Sequence, residues 1–362
     1  MSRPDTAAIG LDELSLATRN HGMPLEALRY DRTPIGLHYL LIHYDIPLVD
    51  PTSWRLRVQG AVGRALELSL GDLRAFDART VEVTMECAGN GRALHEPRPV
   101  SQPWLLEAVG TAAWTGVPLR SVLEEAGLAE GAVWVAFQGL DRGLEGGTEQ
   151  RYERGLTRED ALGEDVLLAY EMNGASLPPQ HGFPLRLVVP GWYGMTSVKW
   201  LARIEALEAP FDGYQNRVAY RWRATEDDPG EPLARIAVRA LMAPPGIPAF
   251  QPRIRHVAAG RVQLEGRAWS GSGPIVRVEV SVDAGGTWSD ATLGPDAPPH
   301  AWRRWTFDWD AIPGEHELCS RATDATGATQ PLTATWNVGG YTNNAVQRIP
   351  VVVAGEPPGR RG

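Results

Sequence analysis

Hydrophobic and polar positions keep changing rhythm along the first two thirds of the chain. "SWRLRVQG" (53–60) alternates with a period of two and predicts a strand. "SLGDLRAF" (69–76) sets leucines behind a serine cap and predicts a short helix, and "VEVTM" (81–85) alternates again. "LRSVLEEAGL" (119–128) predicts a second helix: Ser121 and Glu124 have capping-box spacing, and Gly127 stands where a left-handed stop belongs. "AVWVAFQG", "DVLLAYEMNG" and "PLRLVVPG" read as strands closed by glycine turns. Residues 1 to about 35 are mixed, and ordered structure is expected to begin near Pro34.

After "LMAPPGIPAFQP" (241–252), which reads as a linker rich in proline and glycine, the helical period disappears. "HVAAGRVQLEGRAWSG", "IVRVEVSVDAGGTWSDATL", "WRRWTFDWDA" and "GEHELCSRATDATGATQ" are strand runs at regular spacing, separated by Gly, Asp and Pro turns. In "IVRVEVSVD", alternation puts Val276, Val278, Val280 and Val282 on one face, with Arg277, Glu279 and Ser281 on the other. The expected fold class is α+β: a mixed α+β domain over residues 1–240, then an immunoglobulin-like β-sandwich over 241–362.

Composition adds limits rather than chemistry. A chain of 362 residues exceeds one ordinary core, in agreement with two domains. A formal net charge of −9 argues against a nucleic-acid partner, which requires a basic face. No run approaches the roughly 18 continuous apolar residues of a membrane span, so no membrane partner is expected. "MSRPDTAAIGLDELSLATRNHG" shows no apolar export segment and no twin arginine. Cys87 and Cys319 fall in different expected domains, so no disulfide is predicted and a cytoplasmic location is expected. Cys319, inside a strand run, reads as a packed structural thiol.

Cys87 stands out. In "VEVTMECAGNGR" (81–92), Val81, Val83 and Met85 share a face and Cys87 sits at the exit of the strand. Gly89 and Gly91 let backbone N–H groups converge there, and Arg92 adds a cation. These neighbours are expected to lower the thiol pKa, which suits a nucleophile or a soft-metal ligand; a loop cysteine with no such role is an equal reading of the local sequence.

"CAGNGR", with "GLHYLLIHYDIP" before it and "LLAYEMNGASLPPQHGFPLRLVVPGWYGMTSVKWL" after it, resembles the molybdenum-cofactor domain of the sulfite oxidase family. "RVEVSVDAGGTW", "AWRRWTFDWD", "RATDATGATQP" and "WNVGGYTNNAVQR" resemble that family's C-terminal dimerisation domain, so the resemblance runs in family order over roughly residues 24–350. It implies a molybdenum–molybdopterin cofactor with Cys87 as the thiolate ligand of the metal. It also implies oxygen-atom transfer and a two-fold homodimer. Cofactor-binding residues carried over are Tyr39, His43, Asp141, His181, Arg186, Ser197, Val198 and Lys199, with Arg186 and Lys199 suited to an anionic phosphate. Arg92 and Tyr220 match catalytic positions, Tyr220 with a shift of one residue, and Trp104 matches a pocket tryptophan.

The chain departs from the family pattern where sulfite oxidases hold their dianion. The usual arginine and asparagine before His43 are Leu41 and Ile42, and the usual arginine of "WNVGGYTNN" is Gly339. Strand alternation would turn Tyr39, Leu41 and His43 into one pocket, and Trp192 and Tyr193 are bulkier than the residues often found there. Arg217 and Arg221 are the nearby cations, and both are expected to be solvated at the surface rather than to replace the lost charge. The expected substrate is a small molecule less anionic than sulfite; the alternatives are a sulfite dehydrogenase with an altered anion pocket and a non-catalytic cofactor-binding relative. No CxxCH haem motif, no cytochrome b5 stretch and no GxGxxG after a strand is present, so no haem or flavin is expected and electrons are expected to pass to a separate partner.

Overall fold

The computed structural model of the chain describes residues 9–354, and the outer ends of both expected domains, 1–8 and 355–362, lie outside the described residues. The first domain rests on two sheets. In one, five strands run in the order Leu66–Leu68, Leu56–Gly60, Leu201–Leu207, Trp134–Glu145 and Thr148–Thr157, with Leu56–Gly60 parallel to Leu201–Leu207. In the other, Arg79–Glu86, Val109–Pro118, Leu167–Met172 and Ala175–Ser176 are antiparallel neighbours, and Arg186–Val188 pairs with Leu167–Met172. Leu56, Val58, Phe137, Leu187 and Ile204 help to fill the core beside these sheets.

The helix Leu70–Arg74 has its expected serine cap, which closes into a full capping box: the Ser69 hydroxyl accepts the Asp72 N–H at 3.1 Å and Asp72 accepts the Ser69 N–H at 2.8 Å. The helix Leu119–Ala126 begins earlier than its capping pattern indicates. It follows Pro118 with no side-chain cap, and Ser121 lies inside the first turn, because the buried stripe Leu119, Val122, Leu123 and Ala126 sets its start. Gly127, at φ +71°, ends it as expected. Order also begins before Pro34: the helix Leu11–Arg19 is fixed by buried Glu13, which accepts hydrogen bonds from Arg98 at 3.0 Å and the Ser101 N–H at 3.2 Å.

The second domain is a β-sandwich. A sheet of four strands (Arg239–Met242, Gly260–Trp269, Arg303–Ala311, Thr292–Leu293) and one of six (Ile247–Pro248, Arg255–Ala258, Gln347–Ala354, Gly314–Asp324, Ile275–Ser281, Ser289–Asp290) share the core of Leu264, Val278, Val280, Trp305, Leu318 and Val351. Its first strand straddles the expected boundary at 240/241, and the expected linker supplies parts of two strands. The valine alternation breaks at its start. The register slips between Ile275 and Arg277, so Ile275 is buried and Val276 is 53% exposed. Cys319 is buried and unpaired, as expected.

The two domains are joined through the loop that follows Arg79–Glu86. Glu86 and Arg239, each 1% exposed, form an ion pair at 2.8 Å, and the Trp269 indole N–H donates to Glu86 at 2.8 Å. The Thr342 N–H donates to the Ala88 carbonyl at 2.8 Å, the Asn343 side chain to the Gly91 carbonyl at 2.8 Å, and Arg92 Nε to the Gly339 carbonyl at 2.8 Å. Gly91 sits at φ +90° against Asn343, a conformation and a proximity that exclude a side chain. No helix among the described residues is long and apolar enough to cross a membrane.

Candidate active site

The strand Arg79–Glu86 ends in a turn closed by Asn90 N–H to Cys87 carbonyl at 3.0 Å and Arg92 N–H to Gly89 carbonyl at 3.0 Å. Buried Asn90 fixes this turn, donating to Glu86 at 3.0 Å and accepting the Ala108 N–H at 3.0 Å. The turn presents Cys87 to a cleft of roughly 650 Å³, open solvent at its mouth included, whose walls contain Tyr39, Leu41, His43, Asp141, His181, Arg186, Ser197, Lys199 and Tyr220. Tyr39, Leu41 and His43 therefore do meet in one cleft, although their segment is irregular rather than a strand, paired only where Leu40 bridges to His21.

The thiol itself corrects the sequence expectation. Burial pushes the Cys87 pKa up, and the opposing pull of Arg92 and the Gly89 N–H does not overcome it. Trp104 Nε1 is near enough to favour a thiolate but makes no hydrogen bond to the thiol as it stands. Local sequence suggests activation because it shows donors and cations but not the buried cluster, with Tyr39, Val83, Met85 and Trp104 among its members, against which Cys87 packs.

One wall of the cleft is basic. Arg186 is buried, stacked 4.6 Å from the Trp114 ring, and donates to the carbonyls of His181 at 3.1 Å and Ser197 at 3.2 Å. Lys199 Nζ donates to the carbonyls of Leu41 at 2.7 Å and Gln180 at 3.0 Å. Burial, then repulsion from Arg186, brings the Lys199 pKa down to about 7; burial brings Arg186 down to about 10. His181 falls to about 2 through burial and then through His38, Arg186 and Lys199, so it is neutral at pH 7. Asp141 rises to about 6 because burial outweighs Lys199 and His43.

The other wall is aromatic. His43 Nε2 lies 3.0 Å from Glu145, which also accepts from the Tyr44 hydroxyl at 2.6 Å. Tyr152 donates to the Met195 carbonyl at 2.7 Å, and Tyr220 packs 5.8 Å from the Tyr341 ring. Sequence reasoning missed His38, Asn90, Tyr152 and Glu145. Glu145 reaches His43 across 102 residues from the tip of a hairpin, a proximity that no local pattern carries.

Several expected site residues lie elsewhere. The Arg92 side chain lies under Gly89, outside the cleft wall, bonded to Gly339 and to the Gln102 carbonyl at 3.1 Å with Tyr341 5.1 Å over it; its Nη2 has no partner among the described residues. Trp104 touches the Cys87 cluster rather than the cleft, and Val198 packs into the core. Trp192 and Tyr193 leave the pocket: Trp192 stacks on Arg235 at 5.4 Å, and the Tyr193 hydroxyl accepts the Ala237 N–H at 3.2 Å. Arg217 is exposed, and Arg221 donates to the backbone of Pro229 at 2.6 Å, so neither supplies charge to the cleft.

Two domain families match: the oxidoreductase molybdopterin binding domain over residues 43–215 and the Mo-co oxidoreductase dimerisation domain over 246–354. Sulfite oxidase of Gallus gallus is 38% identical over 340 residues, covering 87% of this chain and 72% of that protein. The chain belongs to the sulfite oxidase family. NADH nitrate reductase of Solanum lycopersicum, in the same set of relatives, is 33% identical over 364 residues, and the match covers 91% of this chain but 39% of that longer enzyme. The chain spans 61% of the mouse sulfite oxidase. Among solved structures, the sulfane dehydrogenase SoxCD of Paracoccus pantotrophus superposes with a TM-score of 0.79 at 26% identity, over 98% of this chain and 95% of that one. As a member of the sulfite oxidase family, the chain is an oxidoreductase that takes a molybdenum–molybdopterin cofactor.

The cleft fits such a group. Asp141 Oδ1, Arg186 Nε and His38 Nε2 line it, buried and without hydrogen-bond partners, so a polar heterocycle finds donors and acceptors waiting. Among the described residues no three His, Cys, Asp or Glu side chains converge, so a metal at Cys87 takes its other donors from a non-protein group, as a dithiolene provides. Arg186 and Lys199 line the same cleft and repel each other, with Asp141 only partly relieving Lys199, which suits a phosphate.

A titration tests that berth. The folded pKa of Lys199, about 7, lies below its ordinary 10.5, so the charged lysine penalises the cofactor-free fold below pH 7 and the penalty fades as pH rises toward 10.5. The melting temperature of cofactor-free wild type, relative to Lys199→Met, is expected to rise between these limits, and millimolar phosphate is expected to flatten the difference. A flat difference without phosphate refutes the anion berth.

Proposed function

We propose that this chain catalyses oxygen-atom transfer on a small substrate less anionic than sulfite. The observation that supports the reading most is the pair of missing cations. Leu41 stands in the cleft wall where the family pattern has an arginine. At the second position, a side chain on Gly339 would run into the Tyr341 ring, which fills that space.

In this reading Cys87 is the thiolate ligand, while Tyr39, His43, Asp141, His181, Arg186, Ser197 and Lys199 hold the pterin and its phosphate, with backbone contact from Val198. The cofactor, when bound, supplies two-electron exchange of an oxygen atom. The protein does the placing. Burial holds the Tyr220 pKa well above 10, so its hydroxyl donates a hydrogen bond to the substrate rather than acting as a base. Arg92, outside the cleft wall, braces the Cys87 turn from beneath Gly89, and His43 passes protons to Glu145, whose side chain is 29% exposed. The sandwich domain forms a homodimer, which sedimentation as a monomer at micromolar concentration would refute. A separate carrier exchanges the electrons, and the two unpaired cysteines suit a reducing, cytoplasmic setting.

Steady-state rates with sulfite at low ionic strength test the substrate reading; robust wild-type turnover overturns it. Each charge-assisted hydrogen bond contributes about 1.5–3 kcal/mol, and about 1.4 kcal/mol is a factor of ten. Leu41→Arg is therefore expected to lower the KM for sulfite at least about tenfold.

A further inference from the structure

Arg154 lies behind the aromatic wall in an unusual state. It is 2% exposed, on the strand Thr148–Thr157, and shares a face with Tyr152. Its Nη1 donates to the Gln215 carbonyl at 2.6 Å, and its guanidinium carbon lies 5.5 Å from the Tyr220 ring centroid. Nε is buried without a partner, and no carboxylate pairs with this side chain among the described residues. The titratable groups that bear on it are the neutral phenols of Tyr152, Tyr220 and Tyr341.

A buried guanidinium without a counter-ion costs several kcal/mol, and well-packed apolar residues would relieve that cost. Its place gives it a use. One tyrosine ring, that of Tyr220, separates it from the cleft. A cation at this depth is shielded from water, so its field reaches the cleft with less screening than a surface charge. It acts through Tyr220, whose ring it faces and whose hydroxyl it makes a stronger donor.

Resting on the reading that this cleft is catalytic, we infer that Arg154 is a specificity-determining positioning residue that fits the pocket to a singly charged sulfur or nitrogen oxyanion. With Arg92 held outside the cleft wall, the single cation behind Tyr220 matches one negative charge on the substrate. A dianion would lose its hydration beside Leu41 without two contacting cations in return.

Calorimetric titration of the molybdenum-loaded protein tests this with methanesulfonate, sulfate and neutral dimethyl sulfone, which share a sulfonyl group and differ in charge. Wild type is expected to bind methanesulfonate most tightly. Arg154→Met is expected to weaken methanesulfonate about tenfold while leaving dimethyl sulfone within about twofold, and Arg154→Lys to restore methanesulfonate to within about threefold. The Met variant is expected to melt no lower than wild type, as replacement of an uncompensated buried charge predicts. Equal losses for the charged and neutral probes, an unchanged methanesulfonate affinity in Arg154→Met, or tighter sulfate binding by wild type each overturn the inference. Purified wild type without molybdenum refutes the catalytic reading itself, and metal analysis shows this before any probe is added.

Discussion

Cys87→Ser is expected to abolish turnover while leaving the fold intact. Serine is nearly the same size, and the loop's bonds run through backbone atoms and Asn90, so the melting temperature of the cofactor-free protein should barely move. The chemistry changes completely. A hard hydroxyl with a pKa far above that of a thiol replaces a soft donor, and no other His, Cys, Asp or Glu cluster among the described residues offers the metal a second home. Because outer-shell changes alone cost about 10–100-fold in metal affinity or activity, losing the thiolate should cost more than about 100-fold. Metal and pterin analysis of both proteins, with rates on any active substrate, checks this. A serine variant that keeps wild-type rates ends the assignment of Cys87 as a metal ligand.

Glu86→Ala is expected to produce the largest stability loss. It strands Arg239, which is 1% exposed, and also removes the acceptor for Trp269 and Asn90. Breaking one side of a buried pair costs about 3–5 kcal/mol, and each kcal/mol lowers the melting temperature of a chain this large by about 2–4 °C, so a fall of roughly 10 °C is expected. The double variant Glu86→Met with Arg239→Met should regain much of that loss, because no uncompensated charge remains. Scanning calorimetry of the three proteins decides. A single variant within about 1 kcal/mol of wild type, or a double variant no better than the single one, refutes the account.

The site was legible in the sequence wherever a short block carries both the residue and its setting. Cys87, His43, Asp141, His181, Arg186, Lys199 and Tyr220 all meet at the cleft. What failed required knowledge of burial. The thiol pKa runs opposite to the local reading, and Trp192 and Tyr193 turn into the body of the protein although their block points at the pocket. Arg154 was unreadable for the same reason: on an alternating strand it looks like one more solvated cation, and only the packing of Tyr220 over it reveals the missing counter-ion. Many strand and helix runs were readable from rhythm, and the misses fell at element ends, where a buried stripe moved the start of Leu119–Ala126 and a register slip exposed Val276.

The Cys87 turn takes hydrogen bonds from chain 252 residues further on, at Asn343. The turn that carries Cys87 is therefore co-owned by both halves of the polypeptide, and neither half expressed alone would preserve its shape. Exchange of the distal half among relatives would reset the Cys87 loop along with any partner surface, so a change made for assembly is felt at the cleft.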